Sequence, residues 1–343
     1  MPDRGGKKEP EDPLDFEVNM GEMEMKWPEV PPQEFSLVRT DATQTEKYIL
    51  DKVYEQGDVG SCVTNAISSA YRYEIQRQLK EKKKPLVDDF RPSRLFLYYV
   101  GRLTKARGVG VQKGQYYADL ATNPPTEEIR KDYGSFIREV IKILGALGTT
   151  NEDDLSTHQE GSGSWPYKSE SPVKSGPDDK DGDFPSHTYP SMAPDKQCFT
   201  NAFKHMTLAY AKPKMEVACW KKCIYAGYPI IFGYRDYDNL DQALTPPFDP
   251  GFNFVAPTPK EDDTGYGGHV VLAVGWSENL KAFRIQNSWG DDRGDNGFFY
   301  MPYSWLDMDS PNPKDLANKV TKKRHRMVYD AWTLKGSSEL NHR

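Results

Sequence analysis

Residues 56–79 read QGDVGSCVTNAISSAYRYEIQRQL, and the change of character at Cys62 sets the reading of the first half of the chain. Before Cys62 the stretch is turn chemistry, in which Gly57 and Gly60 let the backbone turn tightly and approach another chain. From Cys62 onward Ala66, Ile67, Ala70, Tyr71, Ile75 and Leu79 recur at three- and four-residue spacing, which predicts an amphipathic helix. Lys82-Lys83-Lys84-Pro85 ends it, because cations favour the last turn and proline cannot continue a helix. A cysteine at a helix start has its thiolate favoured by the free N–H groups and the dipole there. The thiolate is the attacking form, so Cys62 is a candidate nucleophile. Gln56 carries a side-chain amide that, with the Cys62 backbone N–H, has the chemistry to hold an oxyanion.

Further helices are predicted over Ser93–Leu103, over about Ser135–Leu147 and over Lys214–Tyr225. In the helix from Ser135, Phe136, Ile137, Val140, Ile141 and Leu144 share one face. Residues 156–200 are dense in Pro, Gly, Ser and Asp, as in a loop-rich connection with an exposed insertion. After them the pattern turns to strands at Pro229–Tyr234, His269–Trp276, Ala282–Gln286, Gly297–Met301 and Met327–Leu334, the last placed to close the sheet. No internal repeat is visible. A helical half followed by a β half predicts an α+β protein with a cleft between two lobes. The divisions are an extended N-terminal segment or short propeptide at 1–34, a mainly helical lobe at 35–160, a loop-rich linker at 161–200, a β-rich lobe at 201–335 and a tail at 336–343.

Two further segments carry chemistry. Gly267-Gly268-His269 opens an apolar strand, and Gln286-Asn287-Ser288-Trp289-Gly290 ends the next one. A hairpin turning near Ser277–Asn279 would set Asn287 beside His269. An Asn carbonyl accepting from one ring nitrogen fixes the tautomer and turns the other nitrogen toward a thiol.

Composition narrows the classes. Of the 343 residues, 37% are hydrophobic and 28% charged, with a net charge of −6, so there is no basic footprint for nucleic acid. The longest apolar runs, such as Val270–Val274, are too short to span a bilayer. The first twenty residues lack the apolar core of a signal peptide, and the four cysteines do not suggest a disulfide framework, so an intracellular location is expected. Cys219 and Cys223, four apart on a helix, read as core packing, because no second Cys or His pair stands at zinc spacing.

QGxxGSC at 56–62, GHxVxAVG at 268–275 and NSWG at 287–290, in that order, resemble the papain family of cysteine peptidases over roughly residues 30–335. Tyr133-Gly134-Ser135, Trp165-Pro166-Tyr167, Gly227-Tyr228-Pro229-Ile230 and Asn296-Gly297-Phe298-Phe299-Tyr300 extend the likeness. The resemblance implies a papain-like two-lobe fold, a helical lobe and an antiparallel β-barrel-like lobe with the active-site cleft between them. It implies Cys62 as nucleophile, His269 as acid and base, Asn287 as the orienting residue and Gln56 as oxyanion donor. Gly134, Ser135, Phe136, Gly233, Gly268, Val270 and Trp289 would line the substrate cleft, with Trp289 also shielding the His–Asn bond. No cofactor or metal is implied. The partners implied are a peptide or protein substrate and the chain's own N-terminal segment as inhibitor, with no nucleic acid and no membrane.

The chain departs from the family at Val59, where a cysteine is usual, and at Val63, where an aromatic residue is common. His269 follows Cys62 by 207 residues (269 − 62) against roughly 130–150 in the family. Extra loops near 168–200 and 236–266 are expected to absorb the difference. These features look most like the disulfide-poor bacterial and microbial branch. The same acyl-enzyme chemistry would also suit an exopeptidase, a ligase or a transferase, and a non-catalytic peptide-binding homologue is a further alternative.

Overall fold

The structure, a computed structural model, describes residues 6–7, 27–38, 53–84, 90–107, 128–173, 182–311 and 326–337. Most of the 1–34 segment, the centre of the 161–200 linker and most of the 336–343 tail therefore lie outside the described residues.

Helix α1 is Cys62–Glu81 and lies against α2 (Arg94–Arg107) and α3 (Ile137–Ala146) on the helical side. Its other side meets the sheet, so it is buried nearly all round from Cys62 to Gln76 rather than along one stripe. That placement explains why polar residues of α1 are buried as well as the predicted apolar face. Buried polar groups must be bonded, and Ser69, for example, donates its hydroxyl to Gln286 at 2.6 Å. Shorter helices α4 (Lys196–Ala202), α5 (Val217–Tyr225) and α6 (Asp238–Ala243) follow.

In chain order the strands are β1 (Gly6–Lys7), β2 (Glu34–Ser36), β3 (Ser135–Phe136), β4 (Thr207–Ala211), β5 (Ile230–Tyr237), β6 (Gly265–Ser277), β7 (Ala282–Gln286), β8 (Phe298–Pro302) and β9 (Val328–Ser337). An antiparallel sheet runs in the order β4-β9-β5-β6-β7-β8. Strand β6 is long enough to take two partners on one edge, β5 along its first part and β2 along Gly275–Ser277. The predicted hairpin is present as β6–β7, with Ser277 opposite Ala282. Strand β9 does not close the sheet at its edge. It inserts between β4 and β5, because the short β4 caps the outside.

The predicted helix from Ser135 starts instead at Ile137. Ser135 and Phe136 are extended, with Phe136 at φ −98° and ψ 139°, and pair in parallel with Gly6 and Lys7. A long-range partner overrides the local helical pattern there. Among the described residues no helix is long and apolar enough to cross a membrane, and no group of three or more His, Cys, Asp or Glu stands together as metal ligands do. Cys219 and Cys223 are buried thiols of α5, and all four cysteines are free.

Candidate active site

The strands set the second lobe's half of the site. Register places His269 of β6 opposite Tyr234 of β5 and places Leu272 opposite Gln286, the residue before Asn287. The hairpin therefore folds Asn287 back over the mouth of β6, and His269 Nε2 meets Asn287 Oδ1 at 2.8 Å. A carbonyl oxygen only accepts, so Nε2 carries the proton of this bond. Asn287 Oδ1 also accepts from the Ser288 N–H at 2.8 Å. The Trp289 indole lies 4.9 Å from the imidazole, tilted by 30°.

The first lobe's half is the loop 55–61 and the start of α1. Cys62 is the first helical residue and is buried, with Ser61 as the N-cap. Gly57 sits at φ +58°, and a Cβ there would fall 2.1 Å from Ser169 Oγ, so the turn needs glycine on two grounds. At Gly60 the constraint is proximity: its N–H donates to Asp132 Oδ2 at 2.9 Å, and a Cβ would sit 2.7 Å from the other carboxylate oxygen.

The two halves meet through Gln56. Its backbone N–H donates to Ser288 O at 2.9 Å, and its side-chain oxygen accepts from Ser288 Oγ at 2.7 Å. Glu55 and Trp289 form an antiparallel bridge beside it. The Gln56 Nε2 donates to Val59 O at 2.9 Å; an amide nitrogen has two N–H groups, so one donor remains for a ligand. Gln56, His269, Asn287, Ser288 and Trp289 thus form one connected constellation at the lobe boundary, with the N-terminal end of α1 beside it.

The expected substrate strip is extended chain. Gly134 has φ +64° and donates its N–H to the Tyr98 hydroxyl, and Ser135–Phe136 form β3. Gly233 and Val270 face each other across β5 and β6, and Gly268 pairs with Arg235. Both Val270 and Gly233 are enclosed; the Tyr329 ring covers Gly233 so closely that a Cβ there would lie 2.3 Å from it. Strand β1 runs beside β5 and β6 as well as β3, so Gly6–Lys7 lie between the strip and the sheet.

Sequence reading missed a buried ionic cluster behind the loop. The Arg94 guanidinium binds Glu152 through Nε and Nη2, the latter at 2.7 Å, and reaches Asn65 Oδ1 at 2.9 Å and Glu55 O at 3.3 Å. Burial works against its charge, and the Glu152 carboxylate outweighs burial and holds it above the usual arginine value. Its carbon lies 4.2 Å from the Tyr54 ring and 3.6 Å from the Tyr167 ring. Tyr167 lies in the quoted Trp-Pro-Tyr segment, but nothing in the spacing of Arg94, Glu152 and Tyr167 announces that they meet.

Comparison with known proteins points to the same fold. The model of the Peptidase C1-like family matches residues 267–309, which hold His269, Asn287 and Trp289. An uncharacterized peptidase C1-like protein of Acanthamoeba polyphaga mimivirus is 27% identical over 256 residues, or 74% of this chain. The chain spans 64% of that relative's length. Among solved structures, xylellain, a cysteine protease from Xylella fastidiosa, is 26% identical with a TM-score of 0.65, covering 97% of this chain and 96% of its own. A procathepsin B of Trypanosoma congolense shares the fold at 14% identity and a TM-score of 0.55, covering 96% of this chain and 86% of its own. In motif, fold and relatives together, the chain is similar to the papain-like cysteine peptidases.

Proposed function

We propose that the protein hydrolyses peptide bonds through an acyl-enzyme on Cys62, with His269 as acid and base. The observation that carries this reading is the His269–Asn287 bond, joined through Ser288 to Gln56 beside the N-terminal end of α1. In the first half-reaction the Cys62 thiolate adds to the scissile carbonyl. The Cys62 N–H and the second N–H of Gln56 Nε2 bind the oxyanion. The tetrahedral species collapses, the C–N bond breaks, and His269 Nδ1 gives its proton to the departing amine, leaving a thioester. In the second, His269 takes a proton from water as it adds to the thioester, the C–S bond breaks, and acid and thiolate are regenerated. Asn287 holds the ring in the tautomer this requires.

A substrate chain would lie along Gly134–Phe136, facing β5 and β6, where Gly6–Lys7 lie in the structure. That placement supports a second part of the reading: the N-terminal segment acts as an inhibitor in cis, since its strand and a substrate would compete for the same backbone edge.

The first experiment is labelling by a thiol-directed epoxide under reducing conditions, with peptide turnover measured alongside. Labelling at Cys62 that is lost in His269→Ala, and turnover abolished in a folded Cys62→Ala variant, are the expected results. Retained turnover in Cys62→Ala would remove Cys62 from the mechanism.

A further inference from the structure

The loop that carries Gln56 has no covalent staple, since all four cysteines are free. Three of its residues are instead tied to the buried Arg94–Glu152 cluster. Glu55 O accepts from Arg94 Nη1 at 3.3 Å. Gln56 O accepts from the Tyr167 hydroxyl at 2.8 Å. Ser61 Oγ meets the same hydroxyl at 2.8 Å, and Asn65 Nδ2, whose own side-chain oxygen is held by Arg94, donates to Ser61 O at 2.9 Å and Ser61 Oγ at 3.0 Å.

The polarity of these bonds is fixed. Gln56 O has no proton, so Tyr167 donates to it, and Ser61 must then donate to Tyr167. Burial pushes the Tyr167 hydroxyl up to about 12, with the Arg94 charge working against that rise, so it keeps its proton through the neutral range. The ring lies against the guanidinium, whose carbon is 3.6 Å from its centre and 4.2 Å from the centre of the Tyr54 ring. Arg94 and Glu152 are 7% and 8% exposed. An ion pair buried this deeply is at best about neutral for stability against apolar residues of the same volume. Its value here lies in fixing a direction: a planar fork and the phenol packed on it define where one backbone carbonyl sits.

We propose that Tyr167, oriented by the Arg94–Glu152 pair, is a positioning residue for the oxyanion hole, acting on Gln56 through its main-chain carbonyl. The inference rests on the peptidase reading above. Tyr167 touches no reacting atom. It sets the Gln56 backbone, and Ser288 sets the end of the side chain, so that the amide is in place before charge develops.

Tyr167→Phe keeps the ring on Arg94 and removes only the hydroxyl. Its kcat for a peptide substrate should fall about three- to tenfold with KM nearly unchanged. Alkylation of Cys62 by iodoacetamide, a displacement that forms no oxyanion, should keep its rate and its pH profile. In a Gln56→Ala background, Tyr167→Phe should cost almost nothing further, because the donor it positions is gone. Unchanged kcat, an equal loss in alkylation and turnover, or additive losses in the double variant would each overturn the proposal. If neither the full chain nor the chain lacking residues 1–26 turns over peptide, the peptidase reading fails and takes this inference with it; additivity in an active enzyme sinks this inference alone.

Discussion

Asn287 accepts from His269 and from the Ser288 N–H with a single oxygen, so one side chain fixes both the imidazole and the turn that leads to Gln56. Asn287→Ala should lower kcat about 100-fold, the size of a general acid–base contribution, with a smaller change in KM. Steady-state kinetics on a folded variant checks this, and an unchanged kcat would mean the ring is held some other way. His269, Asn287, Gln56 and Trp289 were legible in the sequence because each stands in a short motif beside a strand or helix end. Arg94, Glu152 and Tyr167 were not, because they sit on three separate segments and only the fold brings them together. Asp132 was invisible for the same reason: its carboxylate holds the Gly60 N–H from 72 residues away.

Asp132 also accepts from the Tyr98 hydroxyl of α2, so the loop before Cys62 is fastened to α2 through one carboxylate. Val59, beside this link, stands where the family has a cysteine, and the fastening is polar instead of covalent. Asp132→Ala leaves a backbone N–H and a buried hydroxyl without this acceptor and should destabilise the fold by about 2–4 kcal/mol, read as a lower urea midpoint. A midpoint equal to the wild type would show that the loop is held without it. At this scale the sequence was most informative where an element is long with a uniform period, as α1 is, or runs into a motif, as β7 does at Asn287. Helix α1 was placed to within a residue at its start, and β7 was placed without error. Strand β4 was missed: TLAYA adjoins no motif and carries little alternation, and its pairing partner β9 is more than a hundred residues away. Ser135–Phe136 misled for the opposite reason, since their apolar pattern continues that of α3 although their backbone is taken by β1.

The buried tyrosines govern how the whole molecule meets alkali. Burial raises Tyr54, Tyr98 and Tyr167 above the ordinary value of 10.0, Asp132 adding to the rise at Tyr98, and Tyr167 reaches about 12. The folded state then holds protons that the unfolded state has released, so stability is full below about pH 10 and is lost as pH rises toward 12. Urea midpoints measured across that range should fall in step, and a flat profile to pH 12 would show that these phenols ionise in place. The N-terminal segment divides by the same logic of what each part touches. Gly6–Lys7 lie on the edge a substrate would use, whereas Trp27 packs on Tyr225 and Trp276 at ring distances of 5.5 and 6.0 Å. Phe35 stacks on Trp276 at 4.8 Å, Glu34 accepts from Ser277 at 2.5 Å, and Leu37 and Val38 are buried. On the reading proposed above, the first part competes for the cleft and the second completes the β lobe. Removing residues 1–26 should therefore raise turnover about tenfold or more, as expected when a tethered competitor is lost, and leave the melting temperature unchanged. Removing residues 1–36 takes away β2 and two of the aromatic rings over Trp276, and should lower the melting temperature by about 5 °C or more. If the shorter deletion gives no gain in turnover while Cys62 still labels at the same rate, the strand at Gly6–Lys7 does not obstruct substrate and the cis-inhibitor reading is wrong. If both deletions melt alike, β2 is an accessory of the fold and the β lobe is complete without it.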